Sequence, residues 1–153
     1  MANDPQLLTD LGISLRDSRW RAVYGVDDER RASTSGQKVI IDFRAVGGRD
    51  NLGQAVILRL LTPRGELAAL GHPEYGSRLH ELVGRQNTAT TRNLLKLFIL
   101  ESLQAERRIA NVVSVDVSPN PVIRERVDIM VQVQAIGASE PLTIGPLTLE
   151  LAP

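Results

Sequence analysis

Cysteine is absent from this 153-residue chain, which excludes disulfides, thiolate metal sites and cysteine nucleophiles. Aromatic residues make up only 3%, leaving few rings to line a sugar groove or to stack on bases. No charge of one sign prevails: 18 basic residues balance 18 acidic ones, so no overall field draws the chain to nucleic acid or an anionic membrane. No apolar run approaches the roughly 18 residues of a membrane span. Residues 1–6 carry neither the basic segment nor the apolar core of a signal peptide. The expectation is a soluble protein, cytoplasmic while it is being made, without cofactor or metal and without nucleic-acid or membrane partners.

The remaining composition is that of an ordinary globular protein, 42% hydrophobic and 24% charged, long enough to bury its own core. Residues 1–36 read as a partly extended arm, and residues 37–153 as a single domain. In the arm, Leu7, Leu8 and Leu11 fit a short amphipathic turn, while Gly12-Ile13-Ser14-Leu15 fits the start of a strand. Trp20, Val23 and Tyr24 are apolar anchors, and the charge run from Asp27 to Arg31 opens an expected mobile loop over 27–37.

From residue 37 the periodicities are clearer. Val39, Ile41 and Phe43 alternate with polar neighbours as in a half-buried strand. A helix is predicted from Asp50 or Asn51 to Leu61, with Asn51 and Gln54 spaced as a capping box and Leu52, Val56 and Leu60 on one face. Ile57, Leu58 and Leu61 extend that face nearly all round, the mark of a buried helix. Thr62-Pro63-Arg64-Gly65 reads as a type I turn that stops it. A second helix is predicted over Thr91 to Ile109, with Leu94, Leu95, Phe98, Ile99, Ser102, Leu103, Ala105 and Ile109 on one arc, widened by Leu97 and Leu100. Beyond Asn111 the period becomes two. Val113, Val115 and Val117 share a face, Pro119-Asn120-Pro121 turns, Val127 to Ala135 alternates, and Leu147, Leu149 and Leu151 alternate again, with Pro146 suited to a sheet edge. This order predicts an α+β fold, a mostly antiparallel sheet with two main helices packed on one face.

Chemistry is sparse. His72-Pro73-Glu74-Tyr75-Gly76-Ser77 brings histidine, glutamate and serine close in sequence, but a proline- and glycine-bounded turn splays side chains apart, and Tyr75 reads as an anchor. His72 and His80, eight apart, lack a matching carboxylate for a metal. Glu74, Glu81, Glu101 and Glu106 would permit a glycosidase only if two faced one cleft about 5–10 Å apart. Arg78, Arg85, Arg92, Lys96, Arg107 and Arg108 are interspersed with acids and lack interleaved rings, which favours a solvated or protein-facing surface. Glu106 stands out because it falls inside the apolar arc of the second helix. A buried carboxylate costs several kcal/mol unless paired. On a regular helix neither Arg107 nor Arg108 reaches it, so its partner comes from another segment or another chain. The alternative is a helix that frays before residue 106, leaving Glu106 in water and both arginines at the negative helix end.

In their order, Asn51-Leu52-Gly53-Gln54-Ala55, Arg59 to Glu66, His72 to Leu79, and Glu106-Arg107-Arg108-Ile109 at the end of a long helix resemble the baseplate wedge and sheath-initiator family of contractile tails. That family occurs in contractile phages, tail-like bacteriocins, extracellular contractile injection systems and type VI secretion. The likeness covers roughly residues 38–151. The family's helix ends in Glu-Pro-Arg, and Arg107 stands here where proline is usual, which bears on turn geometry more than on charge. The resemblance implies a structural protein with no active site, present in six copies. Glu106 and Arg108, with Arg107 between them, would dock on the helical core bundle of the baseplate wedge, near the hub proteins around the tube. The last strand, Leu147, Thr148, Leu149, Glu150 and Leu151, would offer its open edge to the sheath subunit by β-augmentation. Two other readings go with the same fold: a lysozyme-like hydrolase of cell-wall glycan, a label some members carry, and a regulator that sequesters a soluble partner.

Overall fold

The structure, a computed structural model, describes residues 8–16, 22–26, 28–32 and 39–152. The chain divides into two compact units, Met1–Gln54 and Ala55–Pro153, and its class is α+β, as predicted.

Among the described residues the first unit holds six short strands: β1 (Thr9–Leu11), β2 (Ile13–Arg16), β3 (Ala22–Val26), β4 (Asp28–Ala32), β5 (Val39–Phe43) and β6 (Ala45–Gly47). They pair antiparallel as β1 with β6, β2 with β3, and β4 with β5. The strands expected from Gly12-Ile13 and from Val39 to Phe43 are present. Two expectations change. Leu8 and Leu11 do not form an amphipathic turn: Leu11 belongs to β1 and both side chains are exposed. Within the predicted loop over 27–37, residues 28–32 form a strand in register with β5, from Asp28 opposite Phe43 to Ala32 opposite Val39. A charge run can serve as a strand where its backbone is paired in an antiparallel ladder. Leu7, Trp20, Asp27 and residues 33–37 lie outside the described residues.

Helix α1 (Gly48–Leu61) begins two residues before Asp50, the earliest start predicted, so Asn51 lies inside it and Asp50 sits in its first turn, a favourable place for an acid. Gln54 closes no capping box. Its carboxamide accepts from Ile13 N–H at 2.9 Å and donates to Leu11 C=O at 2.8 Å, tying the helix to the β1–β2 corner. Leu52, Val56 and Leu60 are buried as predicted, whereas Leu61 is 51% exposed, so the helix is apolar-stripe rather than buried all round. The chain then turns one residue later than expected. Glu66 N–H donates to Pro63 C=O at 3.1 Å, and Gly65 at φ 89° occupies the third position, a type II rather than type I turn.

In the second unit, helix α2 (Ala89–Gln104) starts at Thr88, whose hydroxyl accepts from Thr91 N–H at 3.1 Å. It ends five residues before the predicted Ile109, capped by Ala105. Leu95, Phe98, Ile99, Ser102 and Leu103 are buried, and Leu97 is exposed. The three strands that follow are β7 (Ile109–Pro119), β8 (Arg126–Ala135) and β9 (Leu142–Glu150), an antiparallel meander with β8 in the centre. Helix α2 packs against β7. Val127, Ile129, Val131, Val133 and Ala135 make the buried face of β8.

Register decides what strand periodicity alone leaves open. Ala135, Val133, Val131 and Ile129 lie opposite Ile109, Val112, Val115 and Val117, because the ladder skips at Ala110 and Val113. Two bulges therefore replace Val113 by Val112 on the core face, and Val113 is 49% exposed. Strand β9 carries one extra residue between Ile144 (opposite Val131) and Leu147 (opposite Ile129), so Pro146 sits at an irregularity of an edge strand, as its missing donor favours.

Candidate docking site

Why α2 stops is the key to Glu106. After Ala105 the chain tightens: Glu106 N–H donates to Leu103 C=O at 3.0 Å and Ile109 N–H to Glu106 C=O at 3.1 Å, and β7 begins. This turn swings Arg108 back onto Glu106, which a continuous helix would have kept on the far side. Nε of Arg108 donates to Glu106 Oε1 at 2.8 Å and Nη2 to Oε2 at 3.1 Å, a fork on a carboxylate, with Arg108 N–H adding 3.3 Å. Glu106 is 9% exposed. The helix does end early, yet the carboxylate does not meet water. Its partners are within the chain, Arg108 locally and Arg59 from α1, whose Nη2 lies 3.5 Å from Oε2. Burial pushes the Glu106 carboxyl up, but the hydrogen bonds and charge of Arg108, with the charge of Arg59, hold it below the usual carboxylate range. Arg107 is exposed.

The sequence motif around Tyr75 builds the other wall. Ser77 N–H donates to Thr62 C=O, Arg64 N–H to Ser77 C=O, and Gly65 N–H to Tyr75 C=O, stitching the loop to the end of α1. The hydroxyl of Ser77 donates to Leu60 C=O at 2.6 Å, and that of Ser102 to Gly76 C=O at 3.1 Å. Gly76, at φ 106°, is obligatory, since a Cβ there would lie 2.5 Å from Thr62 O. So pinned, the loop lays the Tyr75 ring over the Arg59 guanidinium at 4.5 Å. The rigid turn expected from the sequence is thus present. Burial raises the Tyr75 hydroxyl's pKa and outweighs the nearby Arg59 charge.

Arg59 was not singled out by the sequence reading, although a signal existed. It lies seven residues after Leu52 and three after Val56, inside the buried stripe of α1, where an arginine needs a partner.

Glu74, Glu81 and Glu101 are held by arginines too. Arg64 pairs with Glu74, and with Glu101 at 2.5 Å. Arg78 holds Glu81 at 2.7 Å, keeping that carboxyl low, and its guanidinium lies over the Phe98 ring at 4.3 Å. A cavity of about 150 Å³ opens between Arg64, Arg78, Phe98, Glu101 and Ser102. The basic residues of this region are engaged similarly, Arg92 by Asn87 and Lys96 by Asp116. His72 and His80 are exposed.

The last strand is a separate feature. Leu147, Thr148 and Leu149 pair with Ile129, Asp128 and Val127, and Glu150 takes the Arg126 guanidinium at 2.7 Å. Beyond it, Ala152 pairs with the 85–87 segment, accepting from Asn87 N–H and donating to Arg85 C=O. Glu106 sits by the Ile109–Ala135 end of the sheet, and Leu149 faces Val127, eight residues along β8. At about 3.4 Å per residue the two halves of the expected site lie about 27 Å apart.

This α+β arrangement, two helices with a three-stranded meander, occurs in known structures. One is the "putative tail lysozyme" of Geobacter sulfurreducens, which superposes with a TM-score of 0.57 and 22% sequence identity, over 67% of this chain and 90% of that one. At this identity the likeness is one of fold. No protein-family model matches the sequence, and no curated protein matches it. Among the described residues no helix is long and apolar enough to cross a membrane.

Proposed function

We propose that this chain is a structural component of a contractile phage tail or related contractile injection apparatus, without an active site of its own. The observation that carries the reading is the forked Glu106–Arg108 pair, set at the end of α2 on a fold shared with a tail protein. The pair docks on the helical core bundle of the baseplate wedge. The far end of the sheet, at Leu147 to Leu151, offers an edge to the first sheath ring, so that sheath polymerisation starts from this protein in six copies. The internal pairing of Glu106 does not oppose docking. It pre-orients both groups, and a preorganised charge pair loses less freedom on binding than two mobile side chains.

The word lysozyme in the neighbour's name does not carry over well. A glycosidase acid needs a raised pKa and a carboxylate facing substrate. Here Glu81 and Glu106 are held low by arginines, and Glu74 and Glu101 share Arg64.

The test is electron microscopy of particles from the producing organism with the gene deleted and then restored. Sheathed particles should vanish and return, and the restored gene carrying Glu106→Gln should give none. Unchanged sheathed particles in the deletion strain refute the proposal. Removing residues 147–153 should leave tubes and baseplates without sheath, and normal sheath would refute the role of the last strand.

A further inference from the structure

Two walls frame the cavity of about 150 Å³: the end of α2, with Phe98, Glu101 and Ala105, and the loop that carries Arg64, Glu74 and Gly76. The walls are tied together, since the Ser102 hydroxyl on α2 donates to Gly76 C=O at 3.1 Å, and Gly76 has no side chain to fill the space. Size narrows the guest. Sites for small molecules run to about 300–1,000 Å³, whereas an engineered cavity of about 150 Å³ holds one benzene. The space therefore fits a single side chain of a protein partner. Charge narrows it further. Arg64 serves Glu74 and Glu101 at once, and Arg78 is taken up in a fork on Glu81, Nε at 2.7 Å and Nη2 at 2.9 Å. Two guanidiniums thus face three carboxylates, which leaves one negative charge uncompensated. A carboxylate has about four lone-pair sites, so sharing Arg64 exhausts neither Glu74 nor Glu101.

We propose that this cavity receives a basic side chain, a lysine or arginine of the docking partner, with its aliphatic stem against Phe98 and Ala105 and its cationic head at Glu74 and Glu101. This inference rests on the docking reading above and names what the partner brings. Long basic side chains lay their stems on apolar surface while the head stays with charge or water. The Phe98 ring already carries one cation, the Arg78 guanidinium at 4.3 Å. An acidic guest would instead add a fourth carboxylate to the three present. The cavity also adjoins the docking cluster through both walls, because Gly76 follows Tyr75 and Ala105 precedes Glu106. One partner surface seated on Glu106 and Arg108 therefore reaches it.

The test follows the backbone amide resonances of Gly76, Ser102 and Ala105 by NMR in the intact protein. n-Butylammonium chloride should shift them saturably against sodium chloride at the same ionic strength, and sodium butyrate should not. Glu101→Gln should weaken that binding about fivefold or more, the effect of one charge at about 4 Å even in water. An equal response to butyrate, a response to butyrate alone, or no response overturns the proposal. In the producing cell, Ala105→Met narrows the cavity and keeps every charge, while Glu101→Gln keeps the shape and removes one. Loss of sheathed particles with both folded variants, as with Glu106→Gln, supports the basic guest. Normal sheath with both, where Glu106→Gln gives none, overturns the pocket and leaves docking standing. Normal sheath with all three overturns docking itself.

Discussion

Replacing Glu106 by glutamine removes one charge and little volume, and the structure sets its cost. The substitution abolishes a forked pair with Arg108, weakens the bond from Arg108 N–H, and takes from Arg59 its acceptor. Hydrogen bonds to charged groups contribute about 1.5–3 kcal/mol each, and breaking a buried pair costs about 3–5 kcal/mol. Arg108 is 18% exposed and can turn partly into water, which lowers the cost, but Arg59 at 11% cannot. The expected loss is about 2–3 kcal/mol, out of about 5–15 for a domain, or about 4–12 °C in Tm. Urea denaturation with a constant m-value gives the figure directly. A double-mutant cycle of Glu106→Gln with Arg108→Met, and another with Arg59→Met, apportions it. A loss below about 0.5 kcal/mol, the range of ordinary surface substitutions, would refute the reading that Glu106 is buried and paired. The pair also fixes a pH signature. Because the Glu106 carboxyl is lower in the folded state, its contribution is present above the unfolded value of about 4.3 and disappears as pH falls through the folded one. Stability should fall more steeply below about pH 4.3 in the wild type than in Glu106→Gln, and parallel acid limbs would contradict this.

Gly76→Ala should cost more than about 3 kcal/mol, since it combines a clash with a positive φ; unchanged melting would mean the loop is not pinned as described. Val113→Asp should cost less than about 1 kcal/mol and Val112→Asp more than about 2 kcal/mol, because the bulges aim only Val112 at the core face; equal urea midpoints would remove the bulge assignment. Glu150→Gln should shift stability by less than about 1 kcal/mol, as its pair with Arg126 is exposed, and a larger change would mean the pair is more buried than described.

By itself the sequence determined the elements whose signal is local. Leu52, Val56 and Leu60 recur at helical spacing, Val127 to Ala135 alternate, and Pro119-Asn120-Pro121 marks a turn that Asn120 closes by accepting from Val122 and Ile123 N–H. The rigidity of the segment around Tyr75 was equally legible, because proline and glycine restrict the backbone whatever surrounds them. Tertiary structure decided the rest. Helical periodicity runs through Glu106 to Ile109, and only the gain from pairing Glu106 with Arg108 and starting β7 ends α2 at Gln104. Strand periodicity placed Val113 inward, and only cross-strand register showed the two bulges that turn it out. Above all, the link of Arg59 to Glu106 spans 47 residues. Side chains so far apart in the chain meet only because helix, pinned loop and sheet pack together, and no local pattern encodes that encounter.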